Sequence, residues 1–156
     1  MEHDFLAAKV RTHQGHLGSL ARKLISDISK RAENHDASRM CEPEFEEAAR
    51  LAKTAAQFGI DSEEYREARA NSQSIRKHWQ VNTHHPEHFS DLGQMGWLDI
   101  IEMVLDWSAA VDTYGLSTFA ESVERNLRAY PFSEGQTWLI RQVAEWVSHT
   151  EEDNSR

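Results

Sequence analysis

The chain has 156 residues, is 39% hydrophobic with five Trp, and carries a formal net charge of −9. That length favours one domain with a sizeable core, and the acidity excludes a broad nucleic-acid surface, which needs clustered Lys and Arg to meet phosphates. The single cysteine, Cys41, excludes an intramolecular disulfide and suits a reducing compartment.

The opening MEHDFLAAKV lacks the basic start and apolar run of a signal peptide. No stretch approaches the roughly 18 apolar residues that span a bilayer. A cytoplasmic protein without a membrane partner is expected. With three Pro, seven Gly and scarce alternating patterns, helical spacing dominates. The expected fold is all-α, a single-domain bundle of about five to seven helices over residues 1–150, with a disordered tail at 151–156.

Helix one is expected from about Asp4 to Ala32. Leu6, Val10, His13, Leu17, Leu20 and Leu24 step by three or four and share one face. His13 stands in the middle of that stripe and His16 on its margin. Gly15 and Gly18 weaken the helix by about 1 kcal/mol each relative to Ala. Residues 33–45, ENHDASRMCEPEF, read as a loop that holds the adjacent pair His35-Asp36. Pro43 suits the first position of the next helix, and Glu44, Glu46 and Glu47 suit its positive end, with the helix closing near Gly59.

DSEE at 61–64 resembles a capping box and opens a helix to about Trp79. The stretch VNTHHPEHF, 81–89, concentrates His84, His85, Glu87 and His88 around Pro86, which restricts the loop and its neighbours. Helix GWLDIIEMVLDWSAAVD follows at 96–112, then shorter helices at 117–130 and 134–149, the latter with a Ser133-to-Gln136 capping pattern.

Asp99, Glu102 and Asp106 fall within about 60° on one face of the 96–112 helix. Almost every other position there is apolar, so the helix should be largely buried. Ionised carboxylates in such a setting cost several kcal/mol each without partners. The stripe is either a solvated face or a compensated site. Asp99 has an ordinary use against the helix dipole, whereas Asp106, among Val104, Leu105, Trp107 and Ala109, calls for a cation. Imidazole and carboxylate together suit Zn, Mn, Fe, Co or Ni.

A His on helix one, an HD pair after it and an Asp on a later apolar helix, in that order, resemble the HD-domain superfamily of metal-dependent phosphohydrolases. The resemblance implies an all-helical core in which His13 (or His16), His35, Asp36 and Asp106 bind a divalent metal. A narrower resemblance covers most of the chain. RAENHDASRMCEPEF, NTHHPEHF and MGWLDIIEMVLDW are similar to three blocks of an uncharacterised bacterial and phage family: HDxSK followed by a PE pair, HHPEH, and MxLxDxxEMxxDW. Arg39 stands where that family has Lys, which keeps a cation but replaces a point charge by a planar fork.

These resemblances imply a metal-dependent hydrolase acting on a phosphoester or phosphoanhydride in a nucleotide or another small phosphorylated metabolite, with Mn, Co, Fe, Zn, Ni or Mg as the ion. Asp36 and Asp106 would hold the metal and assist deprotonation of its water. Arg39, Lys77 or a protonated His84, His85 or His88 would neutralise phosphate oxygens. Glu44 either caps a helix or lies near the metal. A homo-oligomer is compatible with the sequence. Two other classes stay open: a three-His helical metalloprotein using His84 and His88, and a non-catalytic interaction module that keeps a metal for structure.

Overall fold

Good helix formers separated by short polar turns leave the backbone one economical way to satisfy its hydrogen bonds. Seven α-helices and no strand occur among the residues described by the computed structural model, 2–115 and 117–154. The helices are α1 (Glu2–Asn34), α2 (Glu44–Phe58), α3 (Glu63–Asn71), α4 (Gln73–Val81), α5 (Trp97–Tyr114), α6 (Phe119–Ala129) and α7 (Glu134–Asn154). Short 3-10 turns occupy Ala37–Met40, Pro86–His88 and Leu92–Gln94. The chain divides into two compact units, Met1–His35 and Asp36–Arg156.

The first unit is α1. Its apolar stripe is not a core face: Leu6 is 63%, Leu17 59% and Leu20 67% exposed. His13 and His16 are exposed as well, so neither sits in a buried stripe. Periodicity reports which residues share a face and is silent on what covers it.

In the second unit the core forms where α5 meets α6 and α7. Met95, Ile100, Met103, Val104, Trp107, Val123 and Ile140 are buried together there, flanked by Phe89, Phe119, Phe132, Leu139 and Val143. The near-continuous apolar character of α5 is thus met by burial on several sides. Asp99 opens α5 as the dipole argument expects. It accepts from the Gly96 N–H at 3.1 Å and from the Thr83 hydroxyl at 2.6 Å. At α7, the Gln136 carboxamide accepts from the Ser133 N–H at 3.0 Å, and the Ser133 hydroxyl accepts from the Gln136 N–H at 3.3 Å. No helix among the described residues is long and apolar enough to cross a membrane.

Three boundaries differ from the expectation. The helix expected from 61 to about 79 is two helices, α3 and α4, broken at Ser72. The Ser72 hydroxyl accepts from the Ile75 N–H at 3.1 Å and donates to Glu47, which also accepts from the Ser74 N–H at 3.2 Å. A side chain that caps a new helix and is itself held by α2 outweighs the continuing helical pattern. The hydroxyl of Ser62, rather than Asp61, caps α3 by accepting from the Tyr65 N–H. Finally, α7 runs through Asn154, so it includes most of the stretch expected as a tail, and residues 155–156 lie outside the described residues.

Met103 is 1% and Ile140 0% exposed, on facing helices. Met103→Ala or Ile140→Ala should each cost about 2–5 kcal/mol in urea unfolding. Trp138→Ala, at a side chain 64% exposed, should cost less than about 1 kcal/mol. Equal losses at all three would show that α5 against α7 is not the core.

Candidate metal centre

The site begins at the first residue of the second unit. Asp36 follows the end of α1 with φ 52° and ψ 22°, in the left-handed region. Asp tolerates this conformation better than most side chains, at a cost of about 1–2 kcal/mol. The Ala37–Met40 turn then folds Arg39 back on it. The Arg39 N–H donates to the Asp36 carbonyl at 2.8 Å, and Arg39 Nε lies 2.8 Å from Asp36 Oδ2. That leaves Oδ1 facing the second unit's histidines.

His78 comes from α4 and is only 1% exposed. Its Nε2 lies 3.0 Å from Asp36 Oδ1 and 2.9 Å from His85 Nε2. Arg39 Nε, a donor only, points at the same nitrogen from 3.3 Å. Arg39 Nε carries one N–H and Asp36 Oδ2 is its nearer acceptor at 2.8 Å, so between His78 Nε2 and Asp36 Oδ1, 3.0 Å apart, lies either a proton that Nε2 donates or an ion that takes its lone pair. Around Nδ1 stand Ser38 Oγ at 3.2 Å, Asn82 Nδ2 at 3.1 Å and Glu44 Oε2 at 3.5 Å. Sequence reasoning missed His78, since one His beside Trp79 on a helix is an ordinary sight. The available signal was Ser74, His78 and Asn82 at four-residue steps along α4 and its C-terminal cap, beside Ile75 and Trp79.

His84 and His85 arrive from the loop before the Pro86–His88 turn. His84 is 3% exposed, with Nε2 3.5 Å from Asp36 Oδ1 and Nδ1 3.3 Å from Glu102 Oε1. The two neighbouring rings lie 4.1 Å apart between centroids. Burial, with the neighbouring His84 and His78 adding to it, pushes His85 down to about 2, so its imidazole is neutral and keeps a lone pair. At Asp36, burial would raise the carboxyl's pKa, but hydrogen bonds from His78 and His84 and the Arg39 charge hold it far below the usual carboxylate range.

One donor atom from each of Asp36, His78, His84 and His85 lies within 4.8 Å of the others. The separations of 2.9, 3.0 and 3.5 Å bracket the edge of about 3.3 Å that four ligands at about 2.0–2.1 Å make around a tetrahedral ion. His84 and Asp106 likewise bring ligand atoms within 4.8 Å of each other.

Of the residues expected from sequence, Asp36, His84 and His85 meet here, Arg39 stands beside them, and Asp106 adjoins His84. His88 serves elsewhere: its Nδ1–H donates to the Trp79 carbonyl at 3.2 Å. His35 is the last residue of the first unit, directly before Asp36, while His13 and His16 lie on α1. Lys77 is exposed on α4 and Cys41 is exposed after the Ala37–Met40 turn. Glu44 is buried and takes part through Ser38, whose hydroxyl donates to it at 2.8 Å.

The sequence profile of a family of unknown function (DUF5662) matches residues 2–153. No curated protein and no solved structure matches the chain.

Asp36 yields a pH prediction for metal-free protein. A carboxyl whose folded pKa lies below its unfolded value stabilises the fold fully above the unfolded value of about 3.8, and that stabilisation fades as pH falls toward the folded value. Asp36→Asn, which tolerates the left-handed backbone, should therefore be less stable than wild type in urea at pH 6, with the gap narrowing below about pH 4. A gap that widens in acid would show that Asp36 is not held by the histidines and Arg39.

Proposed function

We propose that the chain, which belongs to the DUF5662 family, holds a divalent transition-metal ion through Asp36, His78, His84 and His85 and uses it to hydrolyse a phosphoester or phosphoanhydride in a nucleotide or similar small phosphorylated metabolite. The supporting observation is the convergence of one carboxylate oxygen and three imidazole nitrogens within 4.8 Å. Such a set suits Zn, Mn, Fe, Co or Ni better than Mg, which prefers an all-oxygen shell. A bound ion would supply a water of pKa near about 7 and a Lewis acid for the phosphoryl oxygen.

The protein's own groups divide the remaining work. Asp36 brings the negative charge, and Arg39 holds its second oxygen. The Arg39 side chain is 36% exposed, so its other N–H groups are placed to take a phosphate oxygen bidentately. Asp106, beside His84, would accept the proton of an attacking water. This reading keeps the Asp of the HD pair and the distal Asp from the resemblance to HD-domain hydrolases, and it puts His78 in the ligand set. Cytoplasmic location is part of the same proposal.

The number of ligands favours a second reading. Four protein ligands complete a tetrahedral shell, and closed shells are the mark of structural zinc. With zinc the centre would brace an interaction module. With a six-coordinate ion two positions stay open for water and substrate. A three-histidine metalloprotein also fits, with His78, His84 and His85 in place of His84 and His88.

Elemental analysis of untagged protein should find about one metal ion per chain, and less than about a tenth of that in Asp36→Asn or His78→Ala. A screen of nucleotides and sugar phosphates with added Mn, Co, Ni or Zn should then release phosphate, and Arg39→Ala should lower the rate by about 10²-fold with metal retained. Metal without turnover on any phosphorylated substrate would favour the structural centre. Metal-free protein that keeps full activity would end the proposal.

A further inference from the structure

We propose that Glu102 and Glu44 are positioning residues for this centre, each holding the Nδ1–H of one histidine so that, when an ion displaces the proton shared with Asp36, the opposite nitrogen presents its lone pair to that ion. The inference rests on the metal reading above and adds how two ligands are kept in the binding tautomer.

A neutral imidazole carries one N–H, and the hydrogen bond made by that nitrogen decides which face is free to ligate. His84 is bracketed by two carboxylates, Glu102 3.3 Å from Nδ1 and Asp36 3.5 Å from Nε2. The Glu102 side chain is 13% exposed and His84 3%, so water competes little for the Nδ1 proton. A proton on Nδ1 meets Glu102 and leaves Nε2 open toward Asp36. A proton on Nε2 would block the ligand set.

At His78 the same device is relayed. Glu44 Oε2 lies 3.5 Å from Nδ1, and Ser38 Oγ lies 3.2 Å from it while its hydroxyl donates to that same carboxylate at 2.8 Å. With its proton committed to Glu44, Ser38 offers Nδ1 only an acceptor. Asn82 Nδ2, 3.1 Å away, donates one N–H to the His78 carbonyl at 2.8 Å, and its second N–H competes for Nδ1 in the metal-free tautomer. Once an ion takes Nε2, a lone pair on Nδ1 is no longer available, and the Nδ1–H faces the buried Glu44 carboxylate 3.5 Å away. Neither glutamate belongs to the HD or HH pairs. One opens α2 and the other lies on the core helix α5, so each ties a ligand to a rigid element.

The test uses full-length metal-free protein titrated with Zn²⁺ against a competing chelator, and with Co²⁺ followed by its visible absorption. Glu102→Gln and Glu44→Gln should each weaken Zn²⁺ binding by about 10–100-fold and alter the Co²⁺ spectrum. Glu145→Gln, an equal loss of charge at an exposed α7 position, should leave both unchanged. Should a glutamine variant unfold, ¹⁵N NMR of zinc-loaded wild type decides: His84 and His78 should ligate through Nε2 and carry their protons on Nδ1. Tight Zn²⁺ binding by wild type with affinities within about twofold in both variants would overturn the positioning role, as would Nε2–H tautomers. A wild type that binds neither ion refutes the metal reading itself, a distinct result.

Discussion

Two residues adjacent in sequence, His84 and His85, must aim at one point, and regular backbone forbids it. Neighbouring side chains point to opposite faces of a strand and about 100° apart on a helix. Only an irregular segment brings the two rings to 4.1 Å, and such a segment has no ladder of its own to hold it. Side chains do the holding instead. Thr83 donates to Asp99 on α5, His88 to the Trp79 carbonyl on α4, and Gln136 of α7 to the Leu92 carbonyl. Glu87 accepts from Arg69 of α3 at 3.0 Å and from the Tyr130 hydroxyl at 2.6 Å. Burial and the Glu87 charge push Tyr130 up to about 12, which keeps its hydroxyl a donor. The loop is thereby fastened to almost every helix of the second unit, and the density of polar residues in VNTHHPEHF divides into candidate ligands and fasteners.

The electrostatics run the same way. Asp36, Glu44, Glu102 and Asp106 surround three imidazoles, with Arg39 as the nearby cation. Anions taken out of water are tolerated only when compensated. Here the compensation passes through imidazoles, which can carry a proton or surrender their lone pairs to an ion. Carboxylates gathered around buried histidines favour a cation over a bare phosphate at this place. A phosphate could approach such a place only against a bound cation and Arg39. The left-handed backbone of Asp36 belongs to this economy, since strain held at one residue is characteristic of sites that need a side chain in a fixed place.

The core and the centre share one helix. The α5 residues Ile100, Met103, Val104 and Trp107 are packed into the apolar cluster, while Asp99, Glu102 and Asp106 line a face of intermediate burial toward the loop. Tight packing on one side fixes the helix, and the fixed helix sets the carboxylates behind His84. Rigid support of this kind is what a ligand set needs when its members come from distant parts of the chain.

The amino-acid sequence by itself determined the all-helical class, the place of Asp99 at a helix start and the capping role of Ser133, and it singled out two of the three segments that supply the candidate ligand cluster, the HD pair and the HH pair. Each is written in local chemistry: a 3.6-residue period, a carboxylate at a helix start, or chemistry-bearing residues side by side. Only the tertiary structure decided that His78 joins them, that His88 is a fastener, and that the stripe of α1 is exposed. His78 lies about 40 positions from Asp36, and its approach depends on the break at Ser72, which α2 enforces through Glu47. Periodicity encodes which residues share a face. It carries no record of which faces meet, because that is settled by the packing of whole elements against one another.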